Sequence, residues 1–116
     1  MSHNTLGNGE WLNVGQSLFS QDGSVELRMQ SDGKIAVYWG GECRFQNTAT
    51  QRNDIKGIIM QEDGNMVIYD HHQKPVWATN TGPGGPGDST VICTVQNDGN
   101  VVLYKGTPIW SSNTHK

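Results

Sequence analysis

The chain of 116 residues has little charge and no long apolar run, and each shortage excludes a class of protein. Charged residues make up 16% of the sequence, the net charge is −3, and lysine and arginine form no cluster. Nucleic acids and anionic membranes attract basic surfaces, so neither is an expected partner. A membrane-spanning helix needs about 18 consecutive apolar residues, and the sequence contains no such run.

The sequence also lacks the features of a signal peptide and of an enzyme. Its first residues show no basic start followed by an apolar stretch. We therefore expect a protein that reaches mucus or another surface by unconventional export, with a cytoplasmic location as the alternative. No nucleophile with its base, carboxylate pair or metal cluster is evident, so no enzyme, metal or cofactor is predicted. The pair His71 and His72 does not indicate a metal site, because adjacent strand residues point to opposite faces. A polar connecting turn explains these two residues and Asp70.

Glycine, by contrast, is abundant, with 15 residues beside many β-branched side chains. This composition is typical of an all-β protein with short strands and frequent turns. The length is that of a single domain, residues 1–116.

One nine-residue phrase occurs three times, at residues 30–38, 61–69 and 96–104. The starts are 31 and then 35 residues apart, which indicates one supersecondary unit used three times with approximate threefold symmetry. The second and third copies agree at Gln, Asp, Asn, Val and Tyr. Each copy is therefore a candidate site.

The phrase must bend, because a straight strand would separate its ends by about 27 Å. In the second copy, Asp63 and the glycine after it fit a three-residue hairpin loop. Folding there sets Gln61 opposite Asn65 across the hairpin. Strand alternation then places Asn65, Val67 and Tyr69 on one face, so the motif side chains converge.

Apolar residues alternate on the other face of these hairpins and form the predicted core. A large aromatic residue follows each copy, and we expect Phe45, Trp77 and Trp110 to pack together near the symmetry axis. Trp11 is assigned to an N-terminal strand that completes a sheet, and residues 82–87 to a surface loop. The predicted core comprises Val25, Leu27, Met29, Ile35, Val37, Ile58, Met60, Met66, Ile68, Cys93, Val95, Val101 and Leu103.

The two cysteines, Cys43 and Cys93, lie in different repeats. Either one disulfide between the repeats or two buried thiols agrees with the sequence. Cys93 falls on the inward-facing side of its strand, which favours a small buried residue over a reactive one.

The pattern Gln-x-Asp-x-Asn-x-Val-x-Tyr, followed by Trp-x-x-Asn-Thr, resembles the signature of the bulb-type (monocot) mannose-binding lectins. The chain is most similar to the lily-type lectins of fish skin mucus, an animal branch of that family. The resemblance implies a β-prism II fold, three four-stranded antiparallel sheets around a pseudo-threefold axis, with no metal requirement. It also implies mannose-containing glycans as partners, a homodimer formed by exchange of residues 105–116, and a role in agglutination and innate defence.

The resemblance assigns a role to each motif residue. Asp63 and Asn65 share the axial 2-hydroxyl of mannose, and Gln61 binds the 3-hydroxyl. Tyr69 binds the 4-hydroxyl, and Val67 packs on the C3–C4 edge. The same roles in the third copy fall to Gln96, Asp98, Asn100, Val102 and Tyr104.

The first copy departs from this pattern at two positions. It keeps Gln30, Asp32 and Tyr38 but has Lys34 in place of asparagine and Ala36 in place of valine. Lysine offers no acceptor and can pair with Asp32 instead, while alanine removes most of the apolar patch. We therefore predict a weak or inactive first site.

Two alternatives remain open at the level of sequence. The Gln, Asp and Asn side chains of a motif can simply pair with one another across the turn. The scaffold can also serve as a protein-binding or inhibitory module, which competition by free mannose would distinguish from a lectin.

Overall fold

The computed structural model describes residues 4–47, 51–81, 90–105, 107–114 and 116, so the surface loop predicted for residues 82–87 lies outside the described residues. Within these ranges the chain forms twelve β-strands and no helix, hence no helix suited to crossing a membrane. The strands are β1 (Thr5–Leu6), β2 (Trp11–Asn13), β3 (Ser17–Phe19), β4 (Glu26–Met29), β5 (Ile35–Trp39), β6 (Glu42–Gln46), β7 (Ile55–Met60), β8 (Met66–Asp70), β9 (Pro75–Ala78), β10 (Ile92–Val95), β11 (Val101–Lys105) and β12 (Thr107–Ser111).

These strands form three four-stranded antiparallel sheets, which confirms the predicted all-β fold class. The first sheet has the order β3-β4-β5-β6, the second β2-β7-β8-β9 and the third β1-β10-β11-β12. Each sheet is built on the hairpin of one copy of the phrase. The three N-terminal strands each join a different sheet, and Trp11 pairs with Ile59 of β7, which confirms the strand predicted for Trp11.

The Asp-Gly pair turns each hairpin as the sequence predicted. Gly64 has a φ of 87°, in the left-handed region, and its amide donates to the carbonyl of Gln61 at 3.1 Å. Gly33 and Gly99 adopt φ values of 87° and 94°. Glycine adopts this conformation without the cost that a Cβ adds, so the turn closes at these positions.

The inner faces of the sheets share one core. Every residue of the predicted core is at most 1% exposed. The ring of Trp110 lies 6.0 Å from that of Phe45 and 6.2 Å from that of Trp77, each edge to face. The predicted packing of these three aromatic residues is thus confirmed, and burial of the core is the main stabilising term.

The two cysteines form no disulfide. Cys93 is fully buried, and burial raises the pKa of its thiol to about 12, so it carries no reactive thiolate near neutral pH. Cys43 is exposed on β6, an edge strand of the first sheet. The expectation of a buried thiol is therefore right for Cys93 and wrong for Cys43, because an edge strand has no neighbour to cover it.

The turn between β8 and β9 contains the exposed pair His71 and His72. Asp70, which precedes them, is only 4% exposed and accepts from the amides of His72 and Lys74, each at 2.9 Å. The bond from Lys74, the bond from His72 and an ion pair with Arg52 at 3.3 Å lower the pKa of the Asp70 carboxyl. The turn is thus held by its own carboxylate.

Candidate functional site

The second hairpin brings its five motif side chains to one face of the second sheet. The amide of Gln61 donates to the carbonyl of Asn65 at 2.9 Å, which closes the hairpin. Asp63 Oδ1 accepts from the amide of Asn65 at 2.9 Å, and the Gln61 side-chain amide donates to the hydroxyl of Tyr69. Asp63 is exposed to solvent, and among the described residues its second carboxylate oxygen has no hydrogen-bond partner.

The orientation of Asn65 is set by two residues of the segment that follows β9. Its Oδ1 accepts from Thr79 Oγ1 at 3.1 Å and from the amide of Thr81 at 3.3 Å. The Thr79 hydroxyl also accepts from the amide of Met66 at 3.1 Å. The oxygen of Asn65 is therefore committed to the fold, and in the described part of the chain its Nδ2 has no bonding partner.

The third hairpin repeats this arrangement. Asp98 Oδ1 accepts from the amide of Asn100 at 3.0 Å, and the Gln96 amide donates to the hydroxyl of Tyr104. The oxygen of Asn100 accepts from Ser112 Oγ at 3.1 Å and from the amide of Thr114 at 3.2 Å. The two hairpins thus present the same outward groups, a carboxylate, an amide NH₂ and a phenol.

The valine of each motif lies beneath these polar groups. Val67 and Val102 are each 3% exposed, and they lie outside the central core on the outer faces of their sheets. On the neighbouring strands, the residues paired with each valine form a row with it across the sheet. The outward rows are Trp11, Ile59, Val67 and Ala78 in the second sheet, and Thr5, Thr94, Val102 and Ser111 in the third.

The first hairpin bonds its motif side chains to one another instead. Tyr38 donates its hydroxyl proton to Gln30, and Gln30 Nε2 donates to the carboxylate of Asp32 at 3.2 and 3.3 Å. Lys34 is only 7% exposed, and across the described residues it makes no ion pair with Asp32. The pairing across the turn that the sequence left open therefore occurs in this hairpin.

Asn47 occupies the place in the first sheet that Thr79 holds in the second. Its Oδ1 accepts from the amide of Ile35 at 2.8 Å, as the Thr79 hydroxyl accepts from Met66. Its Nδ2 is buried with no hydrogen-bond partner in the described structure, because Lys34 offers no acceptor there.

The sequence-based list of site residues omitted the side chains that orient the asparagines. These are Thr79 and Thr81 in the second sheet and Ser112 and Thr114 in the third. The signal for them was the second repeated element, Trp-x-x-Asn-Thr, because it recurs with the phrase that it supports. Over the described ranges, no group of three or more His, Cys, Asp or Glu side chains is placed to hold a metal ion.

Comparison with solved structures defines the class of this fold. Snowdrop mannose-specific agglutinin, solved with methyl-α-D-mannoside, superposes with a TM-score of 0.74 at 37% identity over 97% of this chain and 98% of the agglutinin. A monomeric monocot mannose-binding lectin from Gastrodia elata superposes with a TM-score of 0.83 at 29% identity over 97% and 99%. The chain is thus a β-prism II protein, as the resemblance implied.

Sequence comparison then defines the family. No protein-family model matches the chain. A mannose-specific lectin of Aloe arborescens is 33% identical over 93 residues, 79% of this chain and 82% of the relative. The B-type lectin plumieribetin of Scorpaena plumieri is 32% identical over 114 residues, 97% of each chain. The chain belongs to the bulb-type lectin family, whose members bind carbohydrate and are not enzymes.

Proposed function

We propose that this protein is a metal-independent lectin that binds terminal α-D-mannose through its second and third hairpins. The observation that carries the proposal is the hydrogen bonding of the side chains of Asn65 and Asn100. The oxygens of Asn65 and Asn100 accept hydrogen bonds from neighbouring threonine and serine residues, while their NH₂ groups have no partner among the described residues. The exposed Asp63 and Asp98 bind the backbone amides of the same asparagines. The mannose specificity of the relatives supports the choice of sugar.

The chemistry of the outward groups suits a sugar hydroxyl, which both donates and accepts. In the proposed complex, Asp63 accepts from the axial 2-hydroxyl and Asn65 Nδ2 donates to it. Gln61 binds the 3-hydroxyl and Tyr69 the 4-hydroxyl, with Val67 beneath the C3–C4 edge. Tyr69 keeps its own proton for the sugar because it accepts, rather than donates, in its bond with Gln61.

Selectivity follows from the same hydrogen bonds. An epimer that moves one hydroxyl leaves a partner unpaired, at a cost of about 1–3 kcal/mol for each group that loses contact with water. Glucose, with an equatorial 2-hydroxyl, therefore binds more weakly than mannose. Galactose, with an axial 4-hydroxyl, loses the contact with Tyr69.

The first hairpin is proposed to be inactive. Its tyrosine, glutamine and aspartate are bonded to each other, and Lys34 replaces the asparagine that would face the sugar. One chain then carries two working sites.

Two shallow sites of this kind bind a monosaccharide in about the millimolar range, so useful affinity requires several sites at once. We propose that a homodimer with four sites crosslinks mannose-rich glycans, agglutinates microbes and acts in innate defence at mucus or another external surface. Sedimentation equilibrium tests the dimer, and agglutination of yeast with mannose as competitor tests the crosslinking. A monomer that fails to agglutinate would contradict both.

Calorimetric titration with methyl α-mannoside tests the function itself, with the matching glucoside and galactoside as controls. We expect about two mannosides per chain, weaker glucoside binding, no galactoside binding and no effect of EDTA. The variants Asn65→Asp and Asn100→Asp keep the Oδ1 that the fold uses and replace the NH₂ donor by a charged acceptor oxygen, which cannot donate to the sugar. Each should remove one site, whereas absence of mannose-selective heat in the wild type would overturn the proposal.

A further inference from the structure

A groove of about 500 Å³ lies beside the second hairpin. The motif residues Gln61 and Tyr69 line it together with Trp11, Lys56 and Gln73, which belong to no motif. Because two of its walls are motif residues, the groove is continuous with the proposed mannose site.

Trp11 forms the aromatic wall of this groove. Its ring centroid lies 6.0 Å from that of Tyr69, with the ring planes tilted by 55°. The ammonium of Lys56 lies 4.4 Å from the centroid of the Trp11 ring, a cation–π contact. The indole is half-buried, so part of its surface remains open to a ligand.

The close approach of β2 to β7 holds Trp11 in this place. Gly57 pairs with Asn13, and a Cβ on Gly57 would lie 2.6 Å from the carbonyl oxygen of Leu12. A larger residue at this position would push β2 away and displace Trp11. The wall is therefore part of the rigid sheet rather than of a loop.

The other two sheets have no aromatic residue at the same register. Trp11 pairs with Ile59, whereas Thr5 pairs with Thr94 in the third sheet. In the first sheet the equivalent edge residue is Ser17. The second and third hairpins thus share the motif but differ in what lies beside it.

We propose that the groove is a subsite for a second, neutral sugar residue, so that the second hairpin binds two residues of a mannose-terminated oligosaccharide. The third hairpin binds the terminal mannose alone. An indole packs against the apolar C–H face of a sugar ring, and Lys56 and Gln73 supply hydrogen bonds to its hydroxyls. The carboxylate of Asp70 is already used by its own turn and by Arg52. This inference rests on the proposed mannose site.

The test compares chains that each keep a single working site. In the Asn100→Asp background only the second site remains, and we expect α-linked mannobiosides to bind about five to ten times more tightly than methyl α-mannoside. Trp11→Ala in that background should bring this ratio to about one. In the Asn65→Asp background, which keeps the third site, the ratio should be about one with or without the matched change Thr5→Ala.

Indole N–H resonances provide a second readout that does not depend on affinity. The signal of Trp11 should move with a mannobioside more than with methyl α-mannoside. Trp39, whose indole donates to the carbonyl of Thr114 at 2.6 Å, serves as the unmoved reference.

Three results would overturn the subsite. The first is that Trp11→Ala weakens the binding of the mannobioside and of methyl α-mannoside equally, which would make Trp11 only a support for Tyr69. The second-site chain can bind both ligands with the same affinity. A mannose phosphate can bind better than every neutral mannobioside, which would assign Lys56 to an anion. Failure of the underlying lectin function is a different outcome, since methyl α-mannoside would then give no heat with the wild type.

Discussion

The first and second hairpins have the same backbone turn but bond their side chains in opposite ways. In the second, Gln61 donates to Tyr69 and leaves the tyrosine proton free for a ligand. In the first, the hydroxyl of Tyr38 donates a hydrogen bond to Gln30, and the Gln30 side-chain amide donates to Asp32. The comparison teaches that a shared motif and turn do not ensure a shared site, because the same polar groups can satisfy each other.

The outward-facing rows of the first and second sheets also differ, and this difference again disfavours sugar binding by the first hairpin. The row through Val67 is apolar, whereas Ala36 in the first sheet lies between Arg28 and Gln46. A small residue between polar neighbours offers little apolar surface to the edge of a sugar ring. The loss of the asparagine and the loss of the valine therefore act together against the first site.

The largest expected effect comes from giving the second hairpin the lysine of the first. In Asn65→Lys, Thr79 loses its acceptor and the proposed sugar loses its NH₂ donor. The lost bond to the sugar alone corresponds to about a tenfold loss of affinity, and loss of the Thr79 bond that orients position 65 raises the loss at that site to roughly a hundredfold. Calorimetric titration should then count one mannoside per chain. The control Glu62→Lys adds a lysine to the same loop and should keep both sites; two sites in Asn65→Lys would contradict the comparison.

The reverse change should create a site. In Lys34→Asn with Ala36→Val, the new asparagine accepts from Asn47 Nδ2, as Asn65 accepts from Thr79. We expect a third mannoside per chain, bound within about tenfold of the other two. The control Lys34→Met with Ala36→Val removes the charge without supplying an amide and should leave the count at two. The same count in the asparagine variant would show that the first hairpin fails for another reason.

A smaller difference is expected between the two tyrosines. Tyr69→Phe removes one hydrogen bond to the proposed ligand and should weaken the second site about fivefold to tenfold. Tyr38→Phe should leave mannoside titration unchanged, because its hydroxyl is bonded within the inactive hairpin. Equal losses in both variants would mean that the first hairpin also binds sugar.

The smallest effect is one of stability. Lys34→Asn alone should raise the free energy of unfolding by about 1 kcal/mol, because the buried Nδ2 of Asn47 gains an acceptor. Urea denaturation measures this change. Introduced together with Asn47→Ala, the same substitution should bring no gain, and an equal gain there would assign the effect to the loss of lysine.

Much of the core and each hairpin turn could be predicted from the sequence. All the core residues that alternation predicted, from Val25 to Leu103, are buried, although Ile55 and Val91 of the same core were not predicted. Each Asp-Gly pair predicted its turn, with glycine in the left-handed region. Local regularities of this kind depend on strand geometry and on the freedom of glycine at φ > 0, so neighbouring residues suffice to predict them. The exposure of Cys43 was not predicted, because it depends on β6 lying at the edge of a sheet.

The order of residues thus specified the hairpins, their shared core and the motif side chains that face outward, since these follow from contacts between near neighbours. The fold in three dimensions set the partners of those side chains. Thr79 orients Asn65 from the segment after β9, Asn47 lacks an acceptor beside Lys34, and Trp11 contacts Tyr69 from the edge strand. Hydrogen bonds and ring contacts across a sheet depend on register between distant segments, so similar phrases acquire different surroundings.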